Sequence, residues 1–172
     1  PGAVAGMALA WLLAAYLSDA FIRILVGVIG LVFVANTWLR RNSVTPHRVT
    51  AAGGVFWGAV SGFTSFMTQG GGPPFQVHVL PQRLPKMTLV GTTTMFFTVV
   101  NLFKIGPYFL LDQFTAKNAV TSLLLLPIAI IANFAGIWLV RRTPVGLFYS
   151  IAYVLLFVIS LLLLWQGVAA VV

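Results

Sequence analysis

Gly70-Gly71-Gly72-Pro73-Pro74 breaks an apolar stretch that runs from residue 51 to residue 84. Glycine weakens a helix interior by about 1 kcal/mol relative to alanine, and proline by about 3 kcal/mol. Five such residues in a row divide the stretch into two arms, residues 53–68 and residues 75–84. The first arm is about the length of a short helix. The second is too short to cross a bilayer, which needs about 20 residues of helix. The stretch is therefore one interrupted crossing or a hairpin that enters and returns.

The rest of the chain decides the solvent. Of 172 residues, 60% are hydrophobic and 7% charged, and mean hydropathy is +1.03. A soluble domain carries about 25% charged residues, so this chain has too few charges to cover a water-facing surface. In lipid the backbone must satisfy itself, as helices or as a closed barrel. The apolar runs are long and do not alternate, which excludes a barrel. Runs at residues 3–17, 21–39, 87–105, 116–140 and 145–165 predict further helices, with a bend at Pro127. A polar loop at 40–50 and a second loop at 106–115 separate them. The expected fold is an all-α, polytopic transmembrane helical bundle in a single domain, residues 1–172. The chain opens Pro1-Gly2-Ala3 at or inside an apolar run, and is read as a fragment of a longer protein.

Charge placement chooses between the two shapes of the broken segment. Ten Lys and Arg face two Asp and Glu, a formal net charge of +8. The basic residues lie between apolar runs, where they set topology and do not recruit nucleic acid. If the broken segment returns, Arg40, Arg41, Arg48, Arg83, Lys86, Arg141 and Arg142 share one side, leaving Arg23, Lys104 and Lys117 near the other. If it crosses, the basic residues divide evenly. The positive-inside rule favours a re-entrant hairpin opening to the cytoplasm. Residues 1–39 and the last two helices then share a shape, a Pro-led run, a polar turn and a second run, offset by 126 positions and oppositely oriented. That is the pattern of an inverted repeat, with residues 1–39 the last two helices of a first repeat and 51–172 the second.

Several chemistries are disfavoured. With no cysteine and two dispersed histidines, neither a disulfide nor a convincing metal site is expected. No Asp or Glu lies inside an apolar run, since Asp19 and Asp112 fall in loops; this argues against a carboxylate proton relay and an intramembrane aspartyl protease. His78 has no evident serine partner. Neither enzymatic activity nor a cofactor is expected.

What the break offers is an anion cradle. Gly70, Gly71 and Gly72 allow close backbone approach and positive φ. Pro73 and Pro74 end the first arm, and a helix starting near Pro74 would turn its free N–H groups and positive dipole end toward the break. A tight packing turn is the alternative. Ser61, Ser65 and Gln69 fall at i, i+4 and i+8 on one face, flanked by Thr64 and Thr68, and their side chains suit an oxyanion. Gly54, Gly58 and Gly62 offer a small-residue packing face in the same arm. Thr94, Thr98 and Asn101 form a polar stripe in the run at 87–105, for pathway lining or for packing. Lys104 is placed to snorkel. His78 is read as a satisfied or interfacial histidine, Arg83 and Lys86 as topology anchors, and Trp38, Tyr108, Trp138 and Trp165 as interface or lipid-facing residues. The substrate-contacting set is Ser65, Thr68, Gln69, Gly70, Gly71, Gly72, Pro73, Pro74, Thr94 and Asn101.

These motifs, in this order, resemble a known family. Gly54-Val55-Phe56-Trp57-Gly58-Ala59-Val60-Ser61-Gly62, the break itself, Val79-Leu80-Pro81-Gln82-Arg83, Asn101 to Lys104 with Pro107-Tyr108, and Leu126-Pro127 with Gly136 and Arg141-Arg142 are similar to the second repeat of TauE/SafE sulfite-exporter-like anion permeases. The resemblance implies export of sulfite, a sulfonate or a related organic anion by alternating access. It also implies residence in a bacterial plasma (inner) membrane. The expected partners are a small anionic substrate, the lipid bilayer and a possible second copy of the chain in a homo-oligomer.

Overall fold

A computed structural model describes residues 1–14, 16–39, 50–110 and 115–171, with backbone alone at 116 and 117. The loop at 40–49, with Arg40, Arg41, His47 and Arg48, lies outside the described residues, as do Asp112 and the side chain of Lys117. Every regular element described is helical: α1 (Gly2–Leu13), α2 (Asp19–Leu39), α3 (Ala51–Thr68), α4 (Gly72–Val79), a 3₁₀ turn (Leu80–Gln82), α5 (Lys86–Leu110), α6 (Ala116–Arg142) and α7 (Val145–Ala169). Four of these, α2, α5, α6 and α7, are long and apolar enough to cross a membrane. The chain is a polytopic helical membrane protein.

Local chemistry sets the boundaries. Ser18 accepts the Phe21 N–H at 3.3 Å to open α2. Thr50 accepts the Gly53 N–H at 3.1 Å to open α3, and Thr115 accepts the Asn118 N–H at 3.2 Å to open α6. Each satisfies one of the orphan donors of a helix start. Of the expected loop at 106–115, residues 106–110 are helix. α5 carries on through Gly106 and Pro107 to Leu110, because one proline removes a single helical hydrogen bond and the flanking residues remain good helix formers. α6 is likewise continuous through Pro127.

The molecule divides into two compact units, residues 1–84 with 149–172, and residues 85–148. In the first, α1 lies against α3 with backbones almost in contact. A Cβ added at Gly6 would overlap the Ala59 carbonyl oxygen, and one at Gly62 would overlap that of Ala3. Small residues at such a crossing let dispersion act over the full contact, which is how helices associate where no hydrophobic effect separates them from lipid. α2 pairs with α7 by the same device. A Cβ at Gly27 would meet the Ser160 carbonyl oxygen at 2.7 Å, and one at Gly167 the Ala20 carbonyl oxygen at 2.8 Å. Phe33 stacks on Tyr153 with centroids 6.1 Å apart, and Arg23 donates to Gln166 Oε1 at 2.9 Å. Arg83, at the end of the 3₁₀ turn, lies 5.1 Å over the Tyr149 ring, whose hydroxyl donates to the Leu84 carbonyl at 2.6 Å.

In the second unit Lys86 does more than mark a loop. Its Nζ donates to the carbonyls of Val140 (2.9 Å), Arg141 (3.4 Å) and Thr143. An ammonium thereby caps the carbonyl end of α6, where the helix dipole favours a cation. The start of α5 and the end of α6 are consequently at the same end of this unit. Arg142 lies 4.5 Å over the Trp138 ring. Leu89, Val100 and Lys104 are the buried positions of α5, so Lys104 does not extend to the surface as a snorkelling side chain.

Candidate functional site

The broken segment is a hairpin. A Cβ on Gly53, near the start of α3, would lie 3.6 Å from the His78 ring near the end of α4. At the other end Ser61 Oγ donates to the Gly71 carbonyl at 2.7 Å. Early α3 thus faces late α4, and late α3 faces early α4. α4 has eight residues, about 12 Å of helix, well short of a crossing.

The tip is built by hydrogen bonds from α3. The Gly70 N–H reaches back to the Thr64 carbonyl at 3.2 Å. Thr64 Oγ1 donates to Val60 O at 2.8 Å, and Thr68 Oγ1 donates to Thr64 O at 3.2 Å. The chain reverses at Gln69, whose φ is +57°, and no described glycine has positive φ. Gly70, Gly71 and Gly72 permit positive φ, but the fold does not use that freedom. The left-handed region costs a non-glycine residue about 1–2 kcal/mol, and here it falls on the last residue before the glycine run. The glycines serve by lacking side chains instead. A Cβ on Gly70 would press on Thr68 Oγ1 at 2.9 Å, whereas one on Gly72 would meet nothing within 4 Å.

α4 starts at Gly72 with Pro73 and Pro74 in its first turn. Prolines suit that position because first-turn N–H groups have no helical partner. The Phe75 N–H is taken by the Gly71 carbonyl at 3.3 Å. The N–H groups of Gly71 and Gly72 therefore stand at the head of α4, outside its ladder, at the positive end of its dipole.

Beside this head lies a cavity of about 220 Å³. Its polar wall is hairpin: Thr68, Gln69, Gly70, Gly72 and Gln76, with Pro73. Its apolar wall is α7: Leu156, Ile159 and Leu163. Of the residues singled out from sequence, Thr68, Gln69, Gly70, Gly72 and Pro73 converge there. Gly71, Pro74 and Ser65 are buried beside it without lining it. Thr94 and Asn101 belong to the second unit and are exposed on α5. Gln76 was missed, although its spacing of four from Gly72 puts both on one face of α4. The α7 wall carried no sequence signal, since its Leu and Ile residues read the same as lipid-facing ones. A second cavity of about 210 Å³ lies at the hairpin base, lined by Thr50, Trp57, His78 and Gln82 among others.

The fold is that of a helical membrane protein with a short broken hairpin, and the head of α4 lies beside a cavity with a polar hairpin wall and an apolar α7 wall. The chain belongs to the sulfite exporter TauE/SafE family, whose model matches residues 1–163. Comparison with curated proteins and with solved structures found no match.

Proposed function

We propose that the chain is a secondary transporter that moves sulfite, an organosulfonate or a related small organic anion out of the cell by alternating access, and that the tip cavity is where the anion binds. The observation that carries this reading is the pair of N–H groups at the head of α4, Gly71 and Gly72, beside a cavity of about 220 Å³ with a polar wall and no charged side chain among the described residues that line it. An anion there gains the dipole and the N–H groups without a fixed cation buried at membrane depth. An apolar wall opposite the donors accommodates the carbon end of a sulfonate. The same reading has the hairpin open to the cytoplasm of a bacterial plasma membrane, with residues 1–39 completing a first repeat and 51–172 forming an inverted second.

The test is flux of labelled sulfite and methanesulfonate into proteoliposomes. The expected result is saturable flux that responds to an ion gradient, and that falls at least about tenfold in Gly72→Leu while the purified protein remains folded. Gly72 suits this purpose because a side chain there enters open space and its φ is negative. Flux that tracks voltage without saturating would make the protein a conduit. Flux indifferent to Gly72→Leu would place the site elsewhere.

A further inference from the structure

Two buried side-chain atoms among the described residues have no hydrogen-bond partner, Gln76 Oε1 and Ser160 Oγ. Both flank Pro73. Gln76 is three residues further along α4. Ser160, fully buried, presses its hydroxyl against the bare Cα of Gly30, where an added Cβ would also lie 3.6 Å from Pro73. Ser160 shares a helix face with Leu156, Ile159 and Leu163, the apolar wall of the tip cavity. Native structures seldom leave buried polar atoms unpaired, and a bound water, an ion or a functional role accounts for the exceptions.

Resting on the anion-carrier reading above, we propose that the tip site selects singly charged oxyanions over doubly charged ones, with the Gln76 amide as the side-chain donor that determines this selectivity. Most polar groups of the tip already have partners, Ser65 and Gln69 among them. The hydroxyl protons of Ser61, Thr64 and Thr68 are committed to carbonyls of Gly71, Val60 and Thr64. Pro73 and Pro74 have no N–H, and that of Phe75 is committed to Gly71. Two backbone N–H groups are left, those of Gly71 and Gly72, which is fewer than an oxyanion's three oxygens require. Gln76 lines the cavity, and its side-chain oxygen has no hydrogen-bond partner among the described residues. Its Oε1 is buried, so Nε2, with two N–H donors, is the end that a ligand reaches.

All these donors are neutral, and the described residues that line the cavity carry no charge. The described cationic side chains of the same unit are engaged elsewhere, Arg23 with Gln166 and Arg83 over Tyr149. Desolvating an ion costs free energy that grows with the square of its charge. A dianion therefore loses about four times as much hydration as a monoanion of the same size, while the same neutral donors return far less than a fourfold gain. A sulfonate or a protonated sulfite fits this site, and sulfate does not.

The experiment compares methanesulfonate with sulfate in proteoliposomes containing the full chain. The wild type is expected to move methanesulfonate at least about a hundredfold faster than sulfate. Gln76→Leu is expected to lower methanesulfonate flux about tenfold or more. Gln76→Lys, which adds a cation at the cavity wall, is expected to raise the ratio of sulfate to methanesulfonate flux at least about tenfold over that of the wild type. Wild-type sulfate flux equal to that of methanesulfonate would overturn the inference and leave anion transport standing. So would an unaltered ratio in a folded Gln76→Lys. If neither anion moves, transport and its selectivity fall together.

Discussion

Replacing Ser61 by Ala tests what holds the hairpin tip in place. Ser61 is fully buried, and its Oγ donates to the Gly71 carbonyl at 2.7 Å, the residue that supplies one of the two N–H groups at the head of α4. That carbonyl also accepts the Phe75 N–H, at a longer 3.3 Å. Removing the hydroxyl takes away the shorter bond and leaves a buried acceptor half-satisfied. Net loss of a hydrogen bond is about 1 kcal/mol, and a buried polar group left wholly unpaired costs about 1–3 kcal/mol. The remaining Phe75 bond puts the expected cost near 1.5 kcal/mol, about a tenfold change in an equilibrium. Because the bond joins the tip to α3, the loss should act on anion binding, raising KM about 5- to 15-fold, with a modest drop in melting temperature. Thr64→Val is the control. Thr64 is as deeply buried, but its hydroxyl serves only carbonyls of its own helix, Val60 and Ser61, so KM should change less than about twofold. The assay is concentration-dependent flux alongside thermal denaturation in detergent. If Ser61→Ala leaves KM unchanged, or if the two variants shift KM equally, the tip is not positioned by this bond.

Three further outcomes follow from other parts of the molecule. Gln69→Gly should relieve the left-handed backbone at φ +57° and stabilise the protein by about 1 kcal/mol, read as a higher melting temperature; if the Gln69 side chain contacts substrate, KM rises in the same variant. Lys86→Met removes the ammonium that caps the carbonyl end of α6. It should cost about 1–2 kcal/mol and speed hydrogen exchange in the last turn of α6, with no effect in the first. Gly62→Val drives a side chain into the Ala3 carbonyl. Overpacking of this kind costs about 1–3 kcal/mol or more, and it should reduce the yield of monodisperse protein, whereas Gly136→Val, which meets nothing within 4 Å, should not.

The helical architecture was legible because lipid imposes it. Long apolar runs with charges only between them admit one kind of regular structure, and the runs at 21–39 and 145–165 differ from α2 and α7 by a few residues at most. The hairpin was read from arginine and lysine placement, since a returning segment keeps Arg48 and Arg83 on the same side of the membrane. The site was legible in part. Glycine and proline identify a break in any context, so Gly70 to Pro74 stood out, but which residue takes positive φ depends on how α3 ends. The Gly70 N–H reaches back to Thr64, and that closure places the turn on Gln69. The pairing of Gly2 and Gly6 with α3 was invisible for a different reason. A glycine pattern marks a packing face without naming its partner, and α1 is joined to α3 only in three dimensions.

The polar residues of α3 reveal what the tip requires. Hydroxyls are both donors and acceptors, so Ser61, Ser65, Thr64 and Thr68 all suited an oxyanion, with Ser65 and Thr68 expected to touch it. In the fold, Ser61, Thr64 and Thr68 direct their protons into backbone carbonyls. An irregular turn inside a bilayer cannot rely on water for its backbone partners, so a membrane hairpin must bring them, and short hydroxyl side chains one turn apart are the smallest way to do so. This division of labour implies that substituting these hydroxyls changes affinity through the shape of the tip, while substituting Gln76 changes which anion is preferred. Ser61→Ala should weaken methanesulfonate and sulfate alike and leave their ratio within about twofold of the wild-type value, since a displaced tip loses donors for both. Gln76→Lys should alter the ratio first. A Ser61→Ala variant that changed selectivity as strongly as Gln76→Lys would mean that the hydroxyl touches the anion, and that the separation between framework and ligand-binding residues in this hairpin is wrong.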